Sequence, residues 1–353
     1  MDGYAICHAD IAQDPSATLT LQGTSSAGHP YPEPITAGCA VRIFTGAALP
    51  QGADTVVMQE NVRVTNAGIQ IDSQPTCGDF VRPIGHDTGR NQPIIPANHA
   101  INAFNLAAAT TSGLREIDVL RKLRIGVFAT GDELREPGQQ LEPGQIFESN
   151  RIAIRTLLAL LPVTVTDLGI LPDEADATKT ALSQASTSFD ALITSGGVSV
   201  GDADFVRAAI EASGTLEFWR LNLRPGKPFA FGRMGESLIF GLPGNPVSSI
   251  VTLLLLVKPA LWHLAGRSGE YNAPTYFDVE LAADVRHKIG RHEFQRASLT
   301  QIAGKTQVQT TSDQSSNRLQ SFTNADCLML LDGEQEHFPA GSTVPVLPFF
   351  SLL

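Results

Sequence analysis

Positive charge is scarce in this chain. Twenty-five lysines and arginines stand against 36 aspartates and glutamates, a formal net charge of −11. A nucleic-acid binder needs a basic face, so that class is excluded, while a local basic pocket for a small anion is not. Cysteine is scarce too. Cys7, Cys39, Cys77 and Cys327 show no CxxC spacing, so neither a zinc site nor a redox dithiol is signalled. Four scattered thiols in a chain of 353 residues fit the reducing cytoplasm. No basic start leads into an apolar run, so no signal peptide is expected. The most apolar stretch, 250–257, is bounded by Pro246 and Pro259; it is too short to span a bilayer and reads as a buried helix. Two phosphate-binding signatures are also missing. Without G-x-x-x-x-G-K-[ST] the chain is not an ordinary P-loop NTPase, and without G-x-G-x-x-G it is not a dinucleotide dehydrogenase.

What is present suits a folded protein of two to four domains, with 42% apolar and 17% charged residues. Residues 1–85 alternate short β-like runs, such as 39–44 and 55–59, with Gly, Pro and Asn turns, and predict a β-rich domain. Residues 86–122 hold one mildly apolar helix near 101–111 and read as a short arm. Residues 123–268 alternate strands (124–129, 163–171, 190–194, 218–223, and a hairpin around Gly235) with helices (149–161, 173–185, 204–212, 247–265). That alternation predicts an α/β domain with a parallel sheet covered on both faces. Residues 269–353 return to β and predict a small barrel or sandwich.

In such sheets ligands bind beyond the carboxyl ends of the strands. The segments there are unusual: Thr130-Gly131-Asp132-Glu133, Leu171-Pro172-Asp173, the run Ser195-Gly196-Gly197-Val198-Ser199-Val200-Gly201-Asp202-Ala203-Asp204, Arg224-Pro225-Gly226-Lys227-Pro228, and Gly241-Leu242-Pro243-Gly244-Asn245-Pro246. Glycines let backbone approach a ligand, and N–H groups in such loops favour phosphate oxygens. Arg224 and Lys227 add positive charge. Glu133, Asp173, Asp202 and Asp204 add the carboxylates that hold Mg²⁺ against phosphate. Each piece alone has a plainer reading: a Gly-Gly is usually a turn, and Asp173 or Asp204 at a helix start is usually a cap. Five such loops on one sheet edge shift the balance towards a nucleotide-like phosphoanhydride with a metal.

Several strings resemble a known family. Met1-Asp2-Gly3-Tyr4-Ala5, Arg42-Ile43-Phe44-Thr45-Gly46-Ala47, Val57-Met58-Gln59-Glu60, Thr130-Gly131-Asp132-Glu133-Leu134, the Ser195–Gly201 run, Pro225-Gly226-Lys227-Pro228, Leu242-Pro243-Gly244-Asn245-Pro246 and Phe294-Gln295-Arg296 look like the motifs of MoeA proteins, in family order and across nearly the whole chain. The resemblance implies a molybdopterin molybdenumtransferase, which inserts molybdate into adenylated molybdopterin and releases AMP. It implies a Mog-like three-layer α/β/α domain, flanked by a β-rich domain, an arm and a C-terminal β-barrel-like domain. It also implies a homodimer with the β-rich domain of one subunit facing the α/β domain of the other, and a molybdopterin adenylyltransferase as a partner. Family members carry a further segment before the Met-Asp-Gly-Tyr-Ala string, belonging to the arm.

Carried over position by position, the family's catalytic groups would be Asp2, Thr45, Asp87, Glu133, Asp173 and Asp204, with Glu133 and Asp204 on Mg²⁺. Substrate would be held by Gly196, Gly197, Ser199, Asp202, Arg220, Arg224, Pro225, Lys227, Pro243, Gly244, Asn245, Ser248, Arg296 and Ser316. Within that set, Arg224, Ser248, Arg296 and Ser316 would form the molybdate pocket, since guanidinium and hydroxyl groups suit a small dianion. Arg220 and Arg224 stand where the family usually has lysine, His86 where Asp87 usually has an acidic neighbour, and Ser315 where glycine is usual. Two other readings remain at this point. One is an adenylyltransferase or nucleotide-cleaving Mog-like enzyme, which usually lacks the flanking β-rich domains. The other is a non-catalytic scaffold, against which the intact carboxylates argue.

Overall fold

The structure is a computed structural model that describes residues 1–353 apart from 13, 15, 199–204, 268–272, 303, 312 and 353. The chain divides into two compact units, Met1–Ile94 and Ile95–Leu353.

The first unit is built on six strands, β1 (Gly3–Ile6), β2 (Thr18–Ser25), β3 (Cys39–Ile43), β4 (Thr55–Met58), β5 (Val62–Thr65) and β6 (Gly68–Ile71), ordered β4-β1-β3-β2-β6-β5. A single turn of helix, α1 (Ala9–Ala12), follows β1. The alternating apolar residues Tyr4 and Ile6 of β1 pack with Leu19, Ala40, Val57 and Ile69, which closes one small core.

The second unit begins with the helix α2 (Ala103–Thr111), capped by Asn102, whose side chain accepts from the backbone of Phe104 and Asn105. The α/β sheet follows. Its strands are β7 (Leu123–Thr130), β10 (Val163–Leu171), β11 (Ala191–Ser195), β12 (Thr215–Trp219), β14 (Ala230–Met234) and β15 (Ser237–Leu242), ordered β10-β7-β11-β15-β14-β12. Between β7 and the next helix an excursion holds two two-residue strands, β8 (Leu134–Arg135) and β9 (Ile146–Phe147), paired in parallel. The helices are α3 (Asn150–Leu158), α4 (Ala175–Ser186), α5 (Phe205–Ser213) and α6, continuous over Pro246–Leu264 with a π-helical stretch at Leu253–Val257.

Burial explains the layering. Ile125, Val127 and Ile193 face α3 and α6, where they meet Ile154, Leu158, Leu253 and Val257. Phe128, Leu192 and Ile239 face the other way, against Leu182 of α4 and Val206 and Ile210 of α5. Burying strands on both faces gives the near-continuous apolar runs seen in the sequence. The expected parallel sheet is mixed: β10, β7, β11 and β15 run parallel, and β14 turns back antiparallel through the Gly235 hairpin. The 19-residue α6 matches the predicted helix 247–265 to within a residue at each end and is, by length and composition, apolar enough to cross a membrane. Val247, Val251, Leu253, Leu254, Val257 and Leu261 bury it in the core, so no membrane is needed to account for it.

The C-terminal strands β16 (Phe277–Leu281), β18 (His292–Ile302), β19 (Lys305–Thr310), β20 (Cys327–Leu331) and β22 (Thr343–Pro348) close into a five-stranded barrel, because β18 pairs with β20 as well as β19. Two short strands, β17 (Val285–Arg286) and β21 (His337–Phe338), pair beside it. One assignment changes here. The predicted strand 218–223 ends at Trp219, where Arg220 takes a left-handed φ of 75°. Leu223–Arg224 forms instead β13, which pairs in parallel with His292 and Glu293 of the barrel.

Candidate active site

Strand direction decides which loops can meet. Ser195 pairs with Leu242 and Ala129, Thr130 with Leu171, and Trp219 with Ala230 opposite Gly241. The loops after β7, β10, β11, β12 and β15 therefore leave one and the same edge, as the sequence implies. Glu133, Asp173, the Gly196-Gly197 turn, residues 220–227 and residues 243–245 are brought together there. Ser199, Asp202 and Asp204 lie outside the described residues.

The first part of this edge is acidic. Asp173 donates its backbone N–H to Asp132 at 3.1 Å. Burial, with the nearby charges of Asp132 and Glu133, pushes the Asp173 carboxyl above its ordinary value. Glu133 curls back over the chain: a Cβ on Gly131 would sit 2.6 Å from Glu133 Oε2. Beside these carboxylates lies a cleft of about 560 Å³, lined by Gly131, Asp132, Leu134, Arg135, Ile170 and Leu171. Arg135 lines the cleft but bonds the Asp132 carbonyl, and among the described residues these carboxylates form no ion pair, a setting that fits a hard divalent cation, which takes carboxylate oxygens. Among the described residues no three acidic, histidine or cysteine side chains already form a metal-holding group, and Asp204, the expected second ligand beside Glu133, is not one of them.

The second part is the Gly196-Gly197 turn. Both glycines have positive φ, 95° and 68°. A side chain on either would meet the Thr130 hydroxyl at 2.9 Å, so the turn lies directly on β7. That Thr130 hydroxyl is buried without a partner.

The third part is basic. Arg220 and Arg207 both lie against the Trp219 ring, at 3.8 and 4.1 Å from its centroid. Pro225 and Gly226 are buried while Lys227 is exposed. Arg224 Nη1 lies 3.4 Å from the buried carboxylate of Glu293, so the barrel holds this cation as well as pairing with its backbone. Ser248 sits in the first turn of α6, after Pro246 at the first helical position. Ser316 comes to the same helix start: its carbonyl accepts from Val247 N–H at 3.1 Å.

Arg296 differs from the expectation of a lining residue. Its side chain is 1% exposed. Nε donates to Ser321 Oγ, and Nη2 donates to the carbonyls of Asp313 and Ser315. Burial pulls its guanidinium down to about 10. The residue underpins the loop 311–318 that carries Ser316. A buried polar group must find partners, and that loop's carbonyls supply them.

In the first unit, Asp2 and Thr45 meet. The Thr45 N–H and hydroxyl both donate to Asp2 Oδ1, at 2.9 and 2.8 Å, and hold the Asp2 carboxyl below its ordinary value. Asp87 is exposed in the same unit.

Comparison with known proteins settles the lineage. A family model described as the MoeA N-terminal region (domains I and II) matches residues 1–113. A probable molybdopterin binding domain matches 126–263, and the MoeA C-terminal region (domain IV) matches 278–349. A protein of Haemophilus influenzae named molybdopterin molybdenumtransferase is 38% identical over all of this chain and 87% of its own length. A Nostoc protein of the same name is 35% identical over 83% of this chain and 68% of its own. A solved molybdopterin biosynthesis MoeA protein from Pyrococcus horikoshii, 27% identical, superposes with a TM-score of 0.76 over 99% of this chain and 86% of that one. The chain belongs to the molybdopterin molybdenumtransferase family, MoeA.

Seen as a MoeA family member, the chain also has polar residues that motif reading did not single out. Ser149, the first residue of the predicted helix 149–161, sits at the N-cap of α3 but makes no side-chain cap bond. The carboxylate of Glu148 caps instead, accepting from Arg151 N–H at 2.9 Å. Arg151, itself buried, bonds Glu136, Glu148 and Asp167 at once. Asn150 and Glu293 are buried too. The only signal for any of them was polarity next to apolar positions, which caps share.

Proposed function

We propose that the chain inserts molybdate into adenylated molybdopterin, with hydrolysis of the pyrophosphate bond and release of AMP, as a step in molybdenum cofactor biosynthesis. The observation that carries this reading is the convergence of the acidic cluster, the Gly196-Gly197 turn and the basic segment 220–227 on one sheet edge. The edge offers carboxylates for a metal, backbone N–H groups for phosphate and cations for an anionic substrate. The family names of the relatives support the same activity.

Glu133 and Asp204 would hold Mg²⁺, with Asp173 beside them. The ion supplies charge neutralisation on the phosphoanhydride when bound. The Gly196-Gly197 turn bears on the phosphate chain through its backbone, and residues 243–245 close the same side. The molybdate pocket lies at the start of α6. Ser248 and the loop of Ser316 meet there, and the helix start favours an anion. In this arrangement Arg224 is aimed by Glu293, and Arg296 acts through the loop it supports. Asp2, Thr45 and Asp87 serve the α/β domain of a partner copy in a homodimer. The adenylated substrate comes from a molybdopterin adenylyltransferase, and the free thiols of Cys7, Cys39, Cys77 and Cys327 suit the cytoplasm.

Turnover of adenylated molybdopterin with molybdate and Mg²⁺ tests the reading. AMP release that requires all three supports it. An inert protein would point to a scaffold, and adenylation of molybdopterin from ATP would point to an adenylyltransferase. Sedimentation tests the assembly: a fully active monomer would contradict the shared site.

A further inference from the structure

Asn150 opens α3 with its side chain turned inward, 9% exposed. Its amide nitrogen donates to the Ser195 hydroxyl at 2.7 Å and to the Gly244 carbonyl at 2.7 Å. An amide nitrogen carries two hydrogens, and these two acceptors use both. The two acceptors sit on different loops of the site edge. Ser195 ends β11 and leads into the Gly196-Gly197 turn; Gly244 lies in the loop that enters α6. The same loops are joined by Gly196 N–H donating to the Leu242 carbonyl at 3.0 Å. Beneath the turn, the unpartnered Thr130 hydroxyl offers it no bond. Among the described residues, the side-chain bonds at this turn are a long one from the Thr194 hydroxyl to the Gly196 carbonyl at 3.5 Å and the two short ones from Asn150, which alone reach the 242–245 loop as well.

The next residue extends the pattern. Arg151 bonds Glu136 in the excursion after β7 and Asp167 in β10. One helical turn thus reaches the segments after β7, β11 and β15 and the strand β10. Asn150 is the member of that turn whose bonds fall directly between two loops assigned to substrate.

We propose that Asn150 is a positioning residue for phosphoanhydride cleavage, clasping the 195–197 turn to the 242–245 loop at the separation the substrate's phosphates need. The inference rests on the functional reading given above. It differs from a purely structural role in its consequence. Loops that relax by about an ångström misplace the backbone donors, which slows the chemical step, whereas the molybdate contacts are held by α6 itself, with Ser248 inside its first turn and the Ser316 carbonyl bonded to Val247 N–H. A misplacement of about 1 Å reduces rate by as much as roughly a hundredfold in enzymes.

The test uses the full chain with Asn150→Ala and Ser195→Ala, singly and together. AMP release, KM for molybdate, thermal midpoint and amide hydrogen exchange at Gly196 and Gly197 are measured. Asn150→Ala is expected to lower kcat by about 30-fold, with KM for molybdate changed by less than about twofold. Ser195→Ala keeps the bond to Gly244 and is expected to lose about fivefold. The double variant should be no slower than Asn150→Ala, because the Ser195 tie is already gone. Exchange at Gly196 should speed at least about tenfold in Asn150→Ala, with the β7 amides unchanged. A folded Asn150→Ala protein with wild-type kcat overturns the proposal, as does a loss of kcat that follows the thermal midpoint. Should Asn150→Ala fail to fold, Ser195→Ala decides: unchanged kcat and unchanged exchange at Gly196 overturn it. If the wild-type chain releases no AMP, the functional reading fails, and the exchange measurement still decides whether Asn150 clasps the loops.

Discussion

The two edges of the α/β sheet handle carboxylates in opposite ways. At the edge where β7 and β11 begin, Asp190 accepts from both Arg121 nitrogens at 2.6 and 2.8 Å and from Arg124 N–H at 2.7 Å. The Arg121 guanidinium beside it holds its carboxyl far below the ordinary range. At the edge where those strands end, Asp173 faces Asp132 and Glu133 with no cation bonded to it, and burial raises its carboxyl. One edge is satisfied from within the chain. At the other, the acidic corner has no ion pair among the described residues, although the cations of residues 220–227 stand further along the same edge, and the buried Thr130 hydroxyl has no hydrogen-bond partner. Local conflict that the fold does not relieve is where binding and catalysis are found.

The contrast can be broken from its acidic side first. Glu133→Gln should lower AMP release at least about a hundredfold, since a metal-held charge is lost at the reacting phosphate. Its thermal midpoint should stay within a degree or two of the wild type, because Glu133 is exposed, its structural bond to Ile146 runs through its backbone carbonyl, and its side chain makes no hydrogen bond among the described residues. A rate within threefold of wild type would remove Glu133 from the site.

Arg296→Ala gives the next largest effect and sharpens the distinction between contact and support. It removes three hydrogen bonds of a buried guanidinium, each worth roughly 1.5–3 kcal/mol to a charged group. The 311–318 loop should loosen, and KM for molybdate should rise at least about tenfold while KM for adenylated molybdopterin holds. Equal rises for both ligands would indicate general unfolding, and no rise for molybdate would place its pocket elsewhere.

Asp190→Asn acts on the satisfied edge. It should cost about 1–2 kcal/mol of stability at neutral pH, after allowing for the exposure of Arg121. The sign follows from the lowered carboxyl: its contribution is present above the unfolded value near 3.8 and is lost as pH falls through the folded one. The gap between wild type and variant, measured by denaturant titration, should be full at pH 6 and shrink below about pH 4. A gap independent of pH would deny the ion pair its role.

Asp173→Asn is the smallest effect and has the opposite sign. The raised carboxyl means that its ionisation opposes folding above the folded value, and that this penalty vanishes below 3.8. The variant should melt about a degree higher at neutral pH in the absence of metal. Adding Mg²⁺ should raise the wild-type midpoint more than the variant's. A variant that melts lower would mean that Asp173 is held by a partner.

Much of this organisation was legible in the chain. The run Val163–Leu171 is a strand of those bounds, and the Gly235 hairpin folds as β14 and β15, because apolar periodicity and turn residues agree there. Convergence of the five loops followed from strand alternation alone. What stayed hidden depends on distance along the chain. Asn150 bonds residues 45 and 94 positions away, and a polar residue in the first turn of a helix looks like a cap. Leu223 looks like the end of a strand and Arg224 like the start of the loop after it, and only the barrel's His292 and Glu293 draw them into another sheet. Arg296 matched a motif, but no pattern in the sequence distinguishes an arginine that touches an anion from one that holds the loop beneath it.

The most direct test compares the two edges in one measurement, the rate of AMP release from adenylated molybdopterin with molybdate and Mg²⁺, taken well below the melting temperature for Glu133→Gln and Asp190→Asn. The account predicts a loss of at least about a hundredfold for Glu133→Gln and a rate within about twofold of wild type for Asp190→Asn. Similar losses in both variants, or a near-normal rate in Glu133→Gln, would contradict the assignment of the reaction to the strand-end edge.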